Sequence, residues 1–385
     1  MQKAMGVNST VQKSVNRGLV FQHLVTGRAR SRAELAKTCG LTRMTVTNII
    51  AEFVEKGYVA EEENRTGKAA RNNPIQLTVS PQGPKVIGIL IQRNFISVAY
   101  CDCTLQTLDS KLVWIKDYTA RSLLDAVFSV MDQFVQKENI IGIGIGALGP
   151  VDIRRGVILN PPNFNEVHDL SIRNALLERY ALPVVLDHNY NCAALAEKYF
   201  GNCRNDHNFM YLGLTDGIGL GLVSNDRLYS DFTGSASEIG HVSINFNGPP
   251  CSCGNNGCLE TYASAKAIEK AVFEATGEAM DFKTICAVSD RPAIDHILMD
   301  MIYYLQIGLT GCVNLLNPQA IVIGDDGAYL PDRYLGYLEQ VLNSHILSKN
   351  YRHIKIKKPM LQDQYSAAPC AMGILMRLFD GELLF

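Results

Sequence analysis

The chain has 385 residues, of which 47% are apolar and 19% charged, the composition of a folded protein of two or three domains. No run approaches the ~18 consecutive apolar residues of a membrane span, the first residues lack an apolar secretory core, and the eleven cysteines are odd in number; a cytoplasmic protein with reduced thiols or metal ligands is expected. The net charge of −2 is unevenly placed, with 12 Lys/Arg against 6 Asp/Glu in residues 1–80 and 24 against 32 beyond, so a polyanion partner is expected for the first part alone.

Residues 1–80 read as one module of three helices and a hairpin. Val11, Val15, Leu19, Val20 and Leu24 recur at helical spacing after the capping residues Asn8 and Ser9. Ser31 and Glu34 form a capping-box pattern that opens a second helix through Lys37. Gly40 makes a tight turn and Thr42 caps a third helix, whose stripe is Val46, Ile49, Ile50, Phe53 and Val54 and which Gly57 ends. Ala36, Gly40 and Val46 stand at helix-turn-helix spacing. The outward face of the third helix presents Thr42, Arg43, Met44, Thr45, Thr47 and Asn48, mostly short polar groups of the kind that contact phosphates and base edges in a major groove. YVAEEE and IQLTV then read as two strands around a basic tip, a wing on which Arg65, Lys68 and Arg71 could reach the DNA backbone or minor groove. A three-helix packing module with a solvated polar face is the plainer alternative. The agreement of turn, cap, polar face and basic wing favours a winged helix-turn-helix.

Residues 81–385 alternate strands and helices. VIGILIQ, ISVAYCD and KLVWIKDY form a meander, followed by an amphipathic helix from Ser122 to Lys137 and the buried strand IIGIGIGAL. PVVLDHN leads into the helix of NCAALAEKYFG, and FMYLGLTDGIGLGLVSNDRLY opens a second round with a glycine-rich turn. A long helix around Met299 to Leu316 precedes the strand of NPQAIVIGDDG. This predicts two α/β lobes, about 84–190 plus the C-terminal helix and about 191–369, with ligand loops at the strand ends.

Between the lobes' motifs lies HVSINFNGPPCSCGNNGCLE, residues 241–260. Cys251, Cys253 and Cys258 offer three thiolates and His241 an imidazole, the four ligands a tetrahedral structural zinc prefers, with no position left for water. Gly254 and Gly257 let the chain fold back. Free thiols in a loop are the alternative.

The segments IGIGIGALGPVD, ILNPPNF, DHNYNCAALAE, GLTDGIGLG, SEIGH joined to CSCGNNGCLE, and NPQAIVIG resemble the ROK family (repressor, open reading frame, kinase), and with the N-terminal module the resemblance spans essentially the whole chain. It looks like the repressor branch, which includes xylose and N-acetylglucosamine repressors. The resemblance implies an actin-like, ribonuclease H-like body with zinc at the four positions above. It also implies sugar contacts from Glu238, His241 and Glu260, with Asn163, His188 and Asn189 in the opposite wall. Glu238 and Glu260 could alternatively brace the metal ligands.

Three devices of the family's sugar kinases are altered. Gln92-Arg93-Asn94-Phe95 replaces a glycine loop for ATP phosphates, Asn189 stands at the catalytic aspartate with His188 beside it, and Asp216 replaces a threonine in the second phosphate loop. Asp325 and Asp326 bring further charge where glycines are expected. The expectation is therefore a catalytically silent body that binds a sugar or sugar phosphate in a homodimer, or dimer of dimers, on a palindromic operator. A ROK sugar kinase, or a regulator controlled by a protein partner, are the alternatives.

Overall fold

The computed structural model describes residues 8–62, 75–116, 119–161, 164, 167–229, 238–361, 363 and 365–383; Arg65, Lys68, Arg71 and Asn163 lie outside the described residues. The head is built from α1 (Ser9–Val25), α2 (Arg32–Cys39), α3 (Arg43–Glu55) and the antiparallel pair β1 (Val59–Glu62) and β2 (Gln76–Val79). Its start signals are occupied. Asn8 accepts from the Val11 N–H at 2.9 Å, and Ser31 from the Glu34 N–H at 3.3 Å. The reciprocal half of the expected capping box is shifted, because the Glu34 carboxylate accepts instead from the Arg30 N–H at 2.8 Å. Gly40 ends α2 at φ +65°, and Thr42 caps α3.

The buried stripe of α1 is Gly18, Val20, Phe21, Leu24 and Val25. Val11 and Val15, expected in it, are 48% and 39% exposed, and Val54 of α3 is also exposed. Phe21 sets the orientation, meeting Phe53 edge to face at 5.6 Å inside a cluster with Leu35, Val46, Ile50 and Leu77.

The body begins with β3 (Lys85–Ile91), β4 (Phe95–Asp102), β5 (Thr107–Trp114), α4 (Ala120–Phe134), β6 (Ile140–Ala147), the short pair β7 (Val151–Asp152) and β8 (Val157–Ile158), α5 (Ile172–Tyr180) and β9 (Val184–His188). α4 starts ahead of Ser122 because Thr119 and Ser122 complete a reciprocal capping box, and it stops short of Lys137. α6 (Asn189–Tyr199) crosses to the second lobe, made of β10 (Phe209–Leu214), β11 (Ile218–Ser224), β12 (Arg227–Leu228), α7 (Glu260–Ala263), α8 (Ala265–Thr276), α9 (Phe282–Ala287), α10 (Pro292–Leu316), β13 (Ala320–Asp325), α11 (Asp332–His345) and β14 (Lys355–Lys357). α10 opens well before the expected Met299, on a proline whose missing N–H costs nothing in a first turn. The chain ends with α12 (Met372–Phe379), packed back onto the first sheet.

Each sheet has the same plan. β5-β4-β3-β6-β9 and β12-β11-β10-β13-β14 are both antiparallel through their first three strands and parallel through the last two. This repeated plan is the two-lobed, ribonuclease H-like architecture. It turns the C-terminal ends of β3, β6, β9, β10 and β13 toward one cleft, where ligands of such sheets bind.

Head and body share a core. Val20, Phe21 and Leu24 belong to one apolar cluster with Val86, Leu90, Leu375, Leu378 and Phe379. Arg204 of the body donates to the Thr26 carbonyl at 3.1 Å, and Arg28 of the head to the Arg204 carbonyl at 3.2 Å. The contact of α1 with the end of α12 demands glycine, since a Cβ on Gly18 would fall 2.2 Å from the Phe379 carbonyl oxygen. Gly18→Ala must push α1 off rigid backbone, at a cost of about 1–3 kcal/mol. Calorimetry is expected to show the head melting before the body in this variant, and a single unshifted transition would refute the shared-core reading.

Candidate functional site: the interlobe cleft and the reading face

β9 ends at His188, whose Nδ1 accepts the Tyr190 N–H at 3.2 Å and so caps α6. With Nδ1 an acceptor, the neutral ring carries its proton on Nε2, and complete burial holds its pKa down at about 4. A Cβ built on Gly149 would lie 2.7 Å from His188 Nε2 and 3.0 Å from Glu238 Oε1, so a donor and an acceptor converge over that glycine. His241 and Glu260 line the same cleft, a solvent-connected cavity of about 100 Å³.

His241, Cys251, Cys253 and Cys258 place one donor atom each within 4.8 Å of one another, a cluster that could hold a metal ion. Cys251 Sγ lies 3.6 Å from His241 Nδ1, and Cys253 Sγ 3.7 Å from Cys258 Sγ. Gly257, at φ +64°, makes the return that brings Cys258 back beside Cys253. Glu260 Oε1 sits 3.2 Å from Cys251 Sγ and 3.5 Å from His241 Nδ1, while Oε2 would be 2.9 Å from a Cβ on Gly217. One carboxylate thus adjoins the four-donor cluster with one oxygen and the cleft with the other. The eleven cysteines form no disulfide.

The glycines of GLTDGIGLG hold a side chain. Gly213 and Gly219 pair across β10 and β11, and a Cβ on them would fall 1.9 and 2.0 Å from the ring of Tyr190. The Tyr190 hydroxyl lies 3.3 Å from Thr215 Oγ1, and its ring stacks toward Tyr211 at 6.5 Å. Tyr190 therefore fills the bare patch that those glycines create. Gly219→Ala is expected to expel this ring and to cost about 1–3 kcal/mol, measured as a loss of thermal stability that Tyr190→Ala partly restores.

Asp216, which replaces the threonine of the second phosphate loop, pairs with Arg93 at 3.6 Å. The uncompensated acidity lies deeper. Burial pushes the carboxyls of Asp325, Asp326 and Asp187 each up to about 7. A raised carboxyl contributes stability that is complete below its unfolded pKa and lost as pH rises through its folded one. The depressed His188 acts oppositely, and only between about 6.5 and 4. Between pH 6.5 and 8 the carboxyls act alone, so the unfolding temperature is expected to fall across that window and Asp325→Asn to flatten the fall.

Asn189, expected in the sugar wall, faces away from this cleft. It lines a separate small cavity with Leu90, Asp325 and Cys370. The N-terminal turn of α6 points its side chains in different directions, and His188 and Tyr190 take the cleft side. Arg93, Lys266, Thr215 and Ser252 also line the cleft and were not among the expected contacts. No local pattern marks Lys266, which reaches the cleft only because α8 is seated on the second sheet.

On the head, Arg43, Met44, Thr47 and Asn48 are exposed on α3, Met44 by 70%. Thr42 and Thr45 are engaged with each other, hydroxyl to hydroxyl at 2.9 Å, with Thr42 also accepting the Thr45 N–H at 3.1 Å. The side chains of this face that are free of the cap are therefore Arg43, Met44, Thr47 and Asn48.

The ROK family profile matches residues 86–374. The chain belongs to the ROK family. It is 28% identical over 378 residues to the xylose repressor of Bacillus subtilis, covering 95% of this chain and 93% of that one. It is 26% identical over 395 residues to the DNA-binding transcriptional dual regulator NagC of Escherichia coli, covering 98% and 96%. A crystal structure of a ROK family transcriptional regulator, a homologue of the E. coli MLC protein, superposes with a TM-score of 0.82 at 24% identity, over 96% of this chain and 98% of that one. The ROK hexokinase of Thermus thermophilus superposes with a TM-score of 0.64 at 26% identity, over 75% of this chain and 97% of that one. The ROK body is thus common to both kinds of neighbour. The full-length matches to the named repressors and to the MLC homologue extend over the head as well.

Proposed function

We propose that this ROK protein is a sugar-responsive transcriptional regulator, a repressor of carbohydrate-utilisation genes, that binds a sugar or sugar phosphate without phosphorylating it. The observation that carries the reading is Tyr190: its ring occupies the glycine patch of the second phosphate loop while the polar cleft beside it stays open. Gln92–Phe95 stands in place of the first phosphate loop, and Asn189, an amide that cannot serve as a base, stands at the family's catalytic aspartate and lines a separate cavity, so the kinases' own devices for phosphoryl transfer are altered.

His188 Nε2 would donate to a sugar oxygen, and Glu238 and Glu260 would accept from hydroxyls. Arg93 and Lys266 would meet a phosphate if the effector carries one. The His241–Cys251–Cys253–Cys258 cluster suits zinc: ligands ~2.3 Å from a tetrahedral ion stand roughly 3.7 Å apart, close to the observed sulfur and nitrogen separations. Bound zinc would supply rigidity, because four protein donors leave no site for water. It would fix His241 and Glu260 against the cleft.

A physical route joins cleft to head. His188 caps one end of α6; Tyr199 at the other end packs on Phe379 at 5.6 Å, and the Phe379 carbonyl lies against Gly18 of α1. A sugar that draws the lobes together moves α6 and with it the reading face, changing the spacing of two heads in a homodimer, or dimer of dimers, on a palindromic operator. Among the described residues no helix is long and apolar enough to cross a membrane, and a cytoplasmic site of action fits this role. Coupled ATP turnover with a panel of hexoses, pentoses and amino sugars tests the silent-body reading. No turnover is expected from a preparation that those sugars stabilise thermally, and steady turnover would overturn it.

A further inference from the structure

Beside the cleft lies a second cavity, sharing Arg93, Leu148, Thr215 and Asp216 with it as a common wall. Its outer side is an aromatic trio. Phe95, Trp114 and Tyr365 meet edge to face with centroids 5.3 to 5.8 Å apart. Trp114 leaves 57% of its surface exposed at the end of an edge strand, an unusual place for the largest apolar side chain unless something covers it. The inner side is polar, with Asn94, Asp325 and Asp326. Asp325 stands between this cavity and the smaller one that Asn189 lines, and its Oδ2 is buried without a hydrogen-bond partner among the described residues, a costly state unless a ligand or water supplies the partner.

The cavity's chemistry selects its occupant. Three carboxyl groups against one guanidinium oppose a polyphosphate, and the adjoining glycine patch that could receive one is filled by Tyr190. A flat apolar wall facing a row of oxygen acceptors matches a pyranose or furanose ring, whose C–H face is apolar and whose rim carries hydroxyl donors. We propose that the effector is an oligosaccharide of at least two rings: the first bound between His188, Glu238 and Glu260, the second against Trp114 and Tyr365 with its hydroxyls on Asp325 and Asp326. This rests on the sugar-responsive reading above and narrows it to a ligand class.

Trp114 is the single tryptophan of the chain, so selectively excited tryptophan emission reports this cavity. The full-length protein is titrated with xylobiose, cellobiose and N,N′-diacetylchitobiose, with their monosaccharides, and with a non-hydrolysable ATP analogue, following fluorescence and calorimetric heat together. One disaccharide is expected to perturb the emission and to bind at least about tenfold tighter than its monosaccharide, which binds without perturbing it. Tyr365→Ala and Trp114→Ala should erase that advantage and leave monosaccharide affinity unchanged; Trp114→Phe should retain most of it. Monosaccharide binding with no disaccharide advantage would overturn this inference and spare the sugar-responsive reading. Binding of no sugar at all would overturn both. Emission changes produced by the ATP analogue alone would return the cavity to a nucleotide.

Discussion

Cys253→Ser protein is expected to emerge from purification without the metal that the parent carries at about one equivalent, and with its second lobe destabilised. Cys253 is the exposed member of the four-donor cluster, so its removal leaves the buried Cys251 and Cys258 in place and tests ligation rather than packing. Ligation free energy in structural zinc sites is on the order of 10 kcal/mol, which exceeds what the loop's own backbone hydrogen bonds, such as Ile244 N–H to Gly257 and Leu259 N–H to Val242, can supply. The loss should spread to the cleft, since His241 and Glu260 are positioned by the same loop, so sugar-induced stabilisation should vanish as well. DNA binding in the absence of sugar should weaken less, because the head's core runs through α1, α12 and the first sheet. Metal analysis of the purified variant decides the matter; full zinc in Cys253→Ser would remove it from the ligand set.

Arg43→Ala and Asn48→Ala are expected to weaken specific DNA binding by about 10- to 100-fold each, the worth of a lost base-edge or phosphate contact. Both residues are exposed on α3, and neither touches the core that holds the helix. Zinc content, sugar-induced thermal shift and unfolding temperature should all stay at the parental value. Thr42→Ala should behave differently, because its hydroxyl caps α3: it should lose about 1 kcal/mol of stability together with affinity. Measuring affinity and stability together separates reading contacts from scaffold contacts, and unchanged affinity in both Arg43→Ala and Asn48→Ala would place the reading face elsewhere.

Much of this was legible in the residues because local chemistry and fold agree. Asn8, Ser31 and Thr42 cap helices as their types predict, Gly40 supplies the left-handed turn, and alternation of apolar runs marks both sheets. The four-donor cluster was legible for the same reason: one histidine and three cysteines lie within eighteen residues of one loop. What the sequence hid depends on packing between distant segments. Val11 and Val15 fit a helical period yet face solvent, since the stripe of α1 is chosen by Phe53 and the end of α12. The family resemblance implies Asn189 in the wall of the cleft, whereas the first turn of α6 sets it against a different cavity. Tyr190 carried no signal of its own, and its meaning appears only when Gly213 and Gly219 from another sheet come under its ring. The glycine-rich turn, which reads as a remnant of a phosphate loop, has a present structural use.

The route from His188 through α6, Tyr199 and Phe379 to Gly18 would couple the cleft to the reading face, so that one molecule both reads DNA and is switched by a sugar. It is tested most directly by a mobility shift of the full-length protein on DNA upstream of its own gene, titrated with free, phosphorylated and oligomeric sugars at fixed salt, because phosphate contacts make affinity salt-dependent. A specific complex that one sugar dissolves is expected, and the same sugar should leave it intact when Gly18→Ala has loosened the head from the body. A specific complex indifferent to every sugar, in a protein that nonetheless binds one of them, would contradict that coupling.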